Sequence, residues 1–413
     1  MPTLIKPLRG LRPAAGRAAD VIAPPYDVLN SAEARLRAAG RPASFLHISK
    51  PEIDLPEGID LHDPQVYAQG AENFHAMVAS GVLVREPAPH YYVYRLRMGD
   101  HVQTGIVCAG SVAAYDANRI RKHEYTRPDK EDDRVRQITA LNAQTGPVLL
   151  AYRASDAVRD ILAGVARAAP LSEATADDGI VHTLWRVDDA ATIERLTRLF
   201  DAMPALYIAD GHHRSAAASR VAATLRARNP AASGEEAWEY FLCVAFPQDE
   251  MQILDYNRVV RDLNGRSPEA FLAALDAGFT VEPATGQARP RQAGEFGMFL
   301  AGRWYRLRIR PQLVPADPVA SLDVSLLQDQ LLEPLLGIRD PRTDRRIDFV
   351  GGMRGLGELE KRVASGEMAV AFALFPTSMA SLMAVADAGK VMPPKSTWFE
   401  PKLADGLVSH VLD

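Results

Sequence analysis

The stretch YIADGHHRSAAASR (residues 207–220) joins an apolar run, a glycine and a polar helix start. The run PALYIA predicts a short buried strand that ends near Asp210, and SAAASRVAATLRAR predicts a helix with one apolar stripe. Gly211 permits a sharp turn between them, because glycine lacks the Cβ that restricts other residues. The stretch therefore predicts a strand–turn–helix unit in which two adjacent histidines begin the helix.

The start of this helix is a predicted phosphate-binding site. The first turn of a helix has unpaired backbone N–H groups and a partial positive charge, which together favour an anion. The side chains of His212, His213, Arg214 and Ser215 add donors at the same place. A guanidinium in particular matches the geometry of a phosphate.

Two other interpretations of the histidines are open. Asp210 could cap the helix, with His212 and His213 as solvated residues of its first turn. A zinc site is disfavoured, because adjacent histidines on a helix point to different faces and the neighbouring sequence offers no evident third ligand.

A second charged stretch, IRKHEYTRPDKEDDR (residues 120–134), predicts a loop that leads into a helix near Pro128. Phosphoryl transfer needs cations, carboxylates for magnesium and a group that orients the attacking hydroxyl. This stretch contains all three types, and its candidate site residues are Lys122, His123, Glu124, Arg127 and Lys130. The alternative is a solvated loop with helical ion pairs such as Asp132 with Arg136.

A third stretch, MPPKSTWFEPKL (residues 392–403), contains Lys395 as a further candidate phosphate ligand. Two prolines stiffen the stretch, while Trp398 and Phe399 could either anchor the loop or cover a ligand. No GxxxxGK[ST] loop is present in the sequence, so a nucleotide would have to be bound in another way.

Composition limits the functional classes. The net charge of −5 argues against a general nucleic-acid or anionic-membrane binder. Cys108 and Cys243 each lie in an apolar, strand-like run, which predicts buried reduced thiols. The sequence contains no signal-peptide core and no run of about 18 apolar residues, so we expect a cytoplasmic protein without a membrane span. No oligomeric state is predicted.

The rest of the chain predicts an α/β (α+β) fold with a mixed central sheet and flanking helices. We expect an N-terminal α/β segment (1–90), a central phosphate-binding core (91–250) and a C-terminal α/β segment (251–413) that packs on the core. A helix is predicted from Pro64 to Ser80, and another in the leucine-rich run SLLQDQLLEPLLG.

Several motifs resemble known families. DGHHR, after a strand and at the start of a helix, resembles the signature turn of the ParB/sulfiredoxin-like superfamily, which includes a nucleotide-dependent free serine kinase. Over almost the whole chain, successive blocks resemble those of the domain-of-unknown-function family 1015: IAPPYDVL, SFLHIS followed by PEIDLP, IRKHEYTRPDKEDDR, LNAQTGPVLL, YIADGHHR and MPPKSTWFEPKL.

The resemblance implies roles for individual residues. Asp210, Gly211, His212, His213 and Arg214 would correspond to the phosphate turn of the serine kinase, and Glu124 to its upstream catalytic acid. Glu124 precedes Asp210 by 86 residues. This separation exceeds that expected of the compact kinase domain, so the intervening segment resembles an insertion.

The implied reaction is phosphoryl transfer between ATP or ADP and a small hydroxy amino acid, with serine or O-phosphoserine as the leading candidates. It would use Mg²⁺, with Asp210 as a possible ligand, and could run in either direction, as a kinase or as a phosphatase. The alternative is a nucleotide-responsive ParB-like binding or regulatory protein without turnover. The acidic net charge and the absence of a recognisable helix-turn-helix argue against a DNA clamp.

Overall fold

A computed structural model describes residues 3–413, and these form two compact units. The first unit contains the chain up to Met251 together with Pro401–Asp413, and the second contains Gln252–Glu400. The expected segments 1–90 and 91–250 thus belong to one unit. Residues 401–413 also belong to that first unit, whereas most of the expected C-terminal segment forms the second. Met1 and Pro2 lie outside the described residues. Of the helices in residues 3–413, none is both long and apolar enough to span a membrane.

The strands are numbered along the chain. Those of the first unit are β1 (Ile5–Lys6), β2 (Leu11–Pro13), β3 (Leu83–Arg85), β4 (Tyr91–Met98), β5 (His101–Ser111), β6 (Ile120–Arg121), β7 (Ala143–Gln144), β8 (Val148–Tyr152), β9 (Ser172–Thr175), β10 (Val181–Val187), β11 (Leu206–Asp210) and β12 (Tyr240–Pro247). Those of the second unit are β13 (Gln252–Leu254), β14 (Tyr256–Val260), β15 (Phe279–Ala284), β16 (Glu295–Leu300), β17 (Arg303–Ile309), β18 (Ile347–Gly351), β19 (Val370–Leu374) and β20 (Trp398–Glu400). The final strand, β21 (His410–Val411), belongs to the first unit.

The helices are numbered in the same way. Those of the first unit are α1 (Ala18–Val21), α2 (Ser31–Ala38), α3 (Leu46–Ser49), α4 (Pro64–Ala79), α5 (Val112–Asp116), α6 (Pro128–Leu141), α7 (Asp156–Val165), α8 (Ala190–Asp201) and α9 (His212–Arg228). Those of the second unit are α10 (Pro268–Ala274), α11 (Asp323–Leu327), α12 (Gly355–Ala364) and α13 (Met379–Asp387).

Within the described residues, the first unit is built on a nine-stranded sheet. Its order is β6-β11-β8-β12-β5-β4-β10-β9, with β1 paired to β5. The β6–β11 and β8–β12 pairs are parallel, whereas β11–β8, β12–β5 and β4–β5 are antiparallel. The sheet is therefore mixed, and with its flanking helices it confirms the predicted fold class.

The core of the first unit follows from the two-residue period of its strands. Alternate residues of β8, namely Val148, Leu150 and Tyr152, are buried in one cluster, to which α7 and α8 contribute Leu162 and Phe200. Apolar residues on one side of each helix are thereby removed from water, which is the main favourable term in folding.

The two cysteines lie opposite each other in this core. Cys108 on β5 and Cys243 on β12 are direct cross-strand partners, with their Sγ atoms 3.4 Å apart. Both thiols are free and buried, as the apolar runs around them predict. Burial raises the pKa of the Cys108 thiol, so it remains protonated at neutral pH.

Helix α9 lies against α6 and the end of the chain. Ala217 and Val221 of α9 form a small buried cluster with Ile138 of α6 and Leu412. The terminal strand β21 pairs with β7, and Ala23 forms an isolated bridge with Asp405. The last residues of the chain are therefore an integral part of the first unit.

The second unit has its own sheet, in the order β15-β17-β16-β19-β14-β18. Its first and last strands, β13 and β20, pair with each other, so the chain enters and leaves the unit at adjacent positions. The predicted leucine-rich helix differs from expectation. It consists of α11 followed by one π-helical turn (Gln328–Leu332), and it ends before Pro334, which has no N–H with which to extend a helix.

Candidate phosphate-binding site

Strand pairing brings the two charged stretches of sequence together. β6 and β11 are parallel, with Leu206 opposite Ile120 and Tyr207 opposite Arg121. The carboxyl ends of parallel strands meet at the same edge of a sheet, so the loop after β6 (residues 122–127) lies beside the turn after β11. Sequence reasoning identified both stretches, and the topology explains why they are neighbours.

The turn depends on Gly211. β11 ends at Asp210, Gly211 has φ +98°, and α9 begins at His212. A Cβ on Gly211 would lie 3.1 Å from Nε of Arg214 and 3.3 Å from Cα of Val148. Any other residue at position 211 would therefore have a strained backbone, because of the positive φ, and a crowded Cβ.

The N-terminus of α9 is not capped by a side chain. The N-cap position belongs to Gly211, so the interpretation of Asp210 as the N-cap is wrong. The N–H of Ser215 donates to the carbonyl of Gly211 at 3.0 Å and begins the helical ladder. The N–H groups of residues 212–214 precede that ladder, as a helix terminus used for anion binding requires.

Asp210 faces two cations. Its carboxylate oxygens lie 3.2 Å from Nζ of Lys402 and 3.7 Å from the guanidinium of Arg214. Burial alone would raise the pKa of Asp210, but Lys402, Arg214 and His212 together hold it well below its usual range. Asp210 is therefore ionised and neutralises the cations around the turn.

Lys402 is a site residue that sequence reasoning missed. It belongs to the MPPKSTWFEPKL stretch, in which the sequence pattern predicts Lys395 as the phosphate ligand. Lys395 belongs to the second unit, where it has φ +58° and its Nζ lies 5.6 Å from the ring centre of Tyr256. The cluster within the first unit therefore includes Lys402 and not Lys395.

Arg214 is largely buried and anchors the turn. Its guanidinium donates to the carbonyl of Pro147 and lies 4.0 Å from the carboxylate of Asp27. Burial would lower the pKa of Arg214, but Asp210, Asp27 and Asp405 raise it above its ordinary value. The side chain thus connects the helix start to the segment that enters β8.

His213 connects the turn to the neighbouring loop. Its Nε2 accepts a hydrogen bond from the backbone N–H of Arg127 at 3.0 Å. Partial burial lowers the pKa of His213 from its ordinary value, so the imidazole is neutral at pH 7. The cationic side chains of Arg127 and Lys130 are exposed on the same loop and helix start, and Arg127 pairs with Asp129 at 2.8 Å.

His212 lies in a cluster with His123 and Glu124. The two imidazole rings are perpendicular with their centres 4.5 Å apart, and the backbone N–H of His123 donates to Nε2 of His212 at 3.4 Å. Nδ1 of His212 lies 3.7 Å from Oε2 of Glu124. Burial lowers the pKa of His123 to about 4 and that of His212 well below its ordinary value, so both are neutral at pH 7.

This cluster changes the assessment of metal binding. One potential ligand atom from each of His123, Glu124 and His212 lies within 4.8 Å of those of the other two. The sequence offered no evident third ligand for the adjacent histidines. The structure places two further potential ligands, His123 and Glu124, beside His212. They lie there because the parallel β6–β11 pair brings residues 123 and 124 to the start of α9.

Ser215 and Lys122 have partners inside the unit. The hydroxyl of Ser215 is fully buried, donates to the carbonyl of His212 at 3.1 Å and is hydrogen-bonded to Tyr115. Nζ of Lys122 lies 4.0 Å from the centre of the Tyr115 ring, a cation–π contact. Both side chains therefore contact Tyr115 of α5.

A small cavity of about 30 Å³ is lined in part by the turn residue Arg214. Its lining includes Arg214 together with Tyr26, Ser49, Arg134 and Asp405. The guanidinium of Arg134 lies 3.8 Å from the ring centre of Tyr26. Burial raises the pKa of Asp405 to about 7, against the lowering effect of Arg214. Within residues 3–413, the Ser49 hydroxyl and Oδ1 of Asp405 have no hydrogen-bond partner, and the cavity has room for roughly one or two waters.

The fold and site together define a mixed α/β protein with a cation-lined helix N-terminus at one edge of its central sheet. The chain belongs to the DUF1015 family: the family model, described as "Protein of unknown function (DUF1015)", matches residues 5–325. No curated protein matches the sequence.

Several solved structures resemble the chain at low identity. A free serine kinase in complex with AMP is 13% identical with a TM-score of 0.34, and the match covers 71% of this chain and 86% of that one. SbnI with a C-terminal truncation, from Staphylococcus aureus, is 10% identical with a TM-score of 0.39, covering 72% and 85%. A conserved hypothetical protein from Pyrococcus furiosus is 13% identical with a TM-score of 0.34, covering 73% and 93%. At these values the likeness assigns no function to the site.

Proposed function

We propose that this protein transfers a phosphoryl group between ATP or ADP and a small hydroxy amino acid, with serine as the leading candidate. The observation that carries the proposal is the position of the Glu124 carboxylate beside the uncapped N-terminus of α9. An anion-binding helix start and a carboxylate in reach of it are the two parts that transfer to a hydroxyl requires.

The proposed roles follow from the contacts. The N–H groups at the start of α9 bind the nucleotide phosphates, and Arg127 and Lys130 supply exposed cations for the moving phosphoryl group. Glu124, about half of whose side chain is exposed, orients or deprotonates the acceptor hydroxyl. Tyr125 is 79% exposed in the same loop, so its ring is accessible to a nucleotide base.

The histidines and Arg214 have supporting roles in this proposal. His213 holds the loop to the turn through the N–H of Arg127, and Arg214 fixes the turn on Pro147. We propose that Mg²⁺ is carried by the nucleotide phosphates, as is usual for this ion. Asp210 faces Lys402 and Arg214, so its proposed role is to place these cations rather than to hold magnesium alone.

Nucleotide-responsive regulation without turnover is the second candidate function. The observation that favours it is the hydrogen bond between His213 and the backbone of Arg127, which joins the turn to the adjacent loop. A nucleotide at the turn could alter this contact and so transmit its presence to the loop.

Phosphorus NMR of the purified protein with Mg²⁺ tests the proposal. One mixture contains ATP or ADP with L-serine, and the other contains O-phospho-L-serine with or without ADP. We expect new O-phosphoserine, ATP or released phosphate, and we expect Glu124→Gln to slow turnover by about 100-fold or more while ADP still binds. Asp160→Asn, which changes an exposed carboxylate of α7, is the control and should retain turnover.

Unchanged spectra in every mixture would reject phosphoryl transfer to serine. If ADP nevertheless binds to the protein, the result would favour nucleotide-responsive regulation without turnover. Equal loss of turnover in Asp160→Asn and Glu124→Gln would remove the specific role given to Glu124.

A further inference from the structure

We propose that His123, Glu124 and His212 form a binding site for a divalent transition metal ion of the zinc and manganese class. The ligand atoms of these three side chains already lie within 4.8 Å of one another. The inference extends the proposed function, because the ion would lie at the same edge of the sheet. It can be tested without nucleotide or substrate.

His123 is the most deeply buried of the three proposed ligands. Its ring is almost completely buried and is hydrogen-bonded to the backbone of Ile208. Among the described residues, Nδ1 has no hydrogen-bond partner, so the bond to Ile208 belongs to Nε2. A histidine whose one nitrogen is held by the backbone while the other has an unused lone pair has the arrangement typical of a metal ligand.

A buried polar atom without a partner also needs an explanation, because such atoms are rare in folded proteins. Nδ1 of His123 is buried, and the rings of His123 and His212 pack with their centres 4.5 Å apart. An ion bound between the two rings would satisfy Nδ1. The orphaned atom is therefore an observation independent of the clustering itself.

His212 contacts its neighbours only weakly, through a 3.4 Å hydrogen bond at Nε2 and a 3.7 Å separation between Nδ1 and Glu124. Small adjustments of the Glu124 side chain, half of which is exposed, would complete the coordination. The exposed side of Glu124 also leaves coordination positions open to solvent, as in catalytic rather than structural metal sites.

The ligand types select the class of ion. Magnesium prefers oxygen ligands in a regular octahedron, whereas two imidazoles with one carboxylate suit zinc, manganese or ferrous iron. An ion held here would bind and orient the substrate hydroxyl. Glu124 would then act as a ligand of that ion and not by direct contact with the hydroxyl.

Zn²⁺ binding to the full-length, metal-free protein tests the inference. Calorimetric titration should give one equivalent bound, and Co²⁺ should give a visible absorption band of a site with nitrogen ligands. Glu124→Gln and His212→Gln should each weaken Zn²⁺ binding by about tenfold or more. His75→Gln changes an exposed histidine of α4 outside the cluster and should bind Zn²⁺ as the unchanged protein does.

Circular dichroism and thermal melting of each variant show whether it is folded. Glu124 is exposed enough that its substitution should leave the fold intact, so the test does not depend on His212→Gln alone. The inference is overturned if the unchanged protein binds no stoichiometric Zn²⁺, or if folded Glu124→Gln binds it undiminished. Equal weakening by His75→Gln and His212→Gln would also overturn it.

The outcomes for the two proposals are separable. Stoichiometric Zn²⁺ binding without phosphoryl transfer supports the metal site and rejects the proposed function. Phosphoryl transfer with Mg²⁺ in a protein that binds no Zn²⁺ rejects the metal site and supports the function.

Discussion

At the scale of single residues, Asp405 is the clearest source of a pH effect. It is fully buried among Arg214, Arg134, Asp27 and Tyr26, and burial raises its pKa to about 7. In the unfolded chain an aspartate has a pKa of about 4. Between about pH 4 and pH 7 the Asp405 carboxyl is therefore protonated in the folded protein and ionised in the unfolded chain. The contribution of Asp405 to stability falls as the pH rises through this range.

Replacing Asp405 by asparagine should remove this decline. The amide keeps the shape of the protonated acid and has no charge to bury, so the variant should gain stability relative to the unchanged protein as the pH rises. The pKa difference corresponds to roughly 4 kcal/mol at most. Urea denaturation at pH 5 and pH 8 measures the effect. Parallel stability profiles for the two proteins would contradict the account.

The residues of the turn could be predicted from sequence, but their partners could not. Gly211 between an apolar run and a helix start is a local pattern, and the charge of residues 120–134 is visible in the sequence. Lys402 and Asp405 come from a segment almost 200 residues further along the chain. Nothing local to the turn indicates that this segment returns to contact it, because long-range pairing is decided by the whole sheet.

At the scale of elements, the strand–turn–helix unit depends on the glycine. Gly211→Ala should lower the free energy of unfolding by about 1–2 kcal/mol for the positive φ alone, and further for the contact with Val148. Gly234→Ala is the matched control, since Gly234 has φ +87° and open space around it. Urea denaturation of both variants measures the difference. A loss no larger at Gly211 than at Gly234 would show that crowding is unimportant there.

Helices with a clear start signal were predicted well. Pro64 and Pro128 begin α4 and α6, and the expected helix from Pro64 to Ser80 is observed as Pro64–Ala79. The leucine-rich run was predicted as one helix because its apolar residues continue past Gln328. Composition alone did not reveal the π turn at Gln328–Leu332, which precedes Pro334.

At the scale of the whole molecule, the first unit is discontinuous. Its two parts end at Met251 and resume at Pro401, and the intervening unit begins and ends on paired strands, with Gln252 opposite Glu400. The two ends are therefore close, and a short flexible linker should join them.

A chain of residues 1–251 joined by such a linker to 401–413 should fold cooperatively. The same chain without 401–413 should not, because it lacks β21, Asp405 and the buried residues Leu403, Leu407, Val408 and Leu412. Thermal melting followed by circular dichroism compares the two. A cooperative transition of equal midpoint in both would show that the terminal segment is dispensable.

If the N-terminus of α9 binds a nucleotide phosphate, as we propose, the backbone amides of its first turn must respond to the nucleotide. The most direct measurement is a titration of the ¹⁵N-labelled protein with ADP and Mg²⁺, followed by the backbone amide signals in transverse-relaxation-optimised NMR spectra. Phosphate binding at this position predicts saturable shifts of the His212, His213 and Arg214 amides. Amides of the turn that remain in place while ADP shifts signals elsewhere would contradict it.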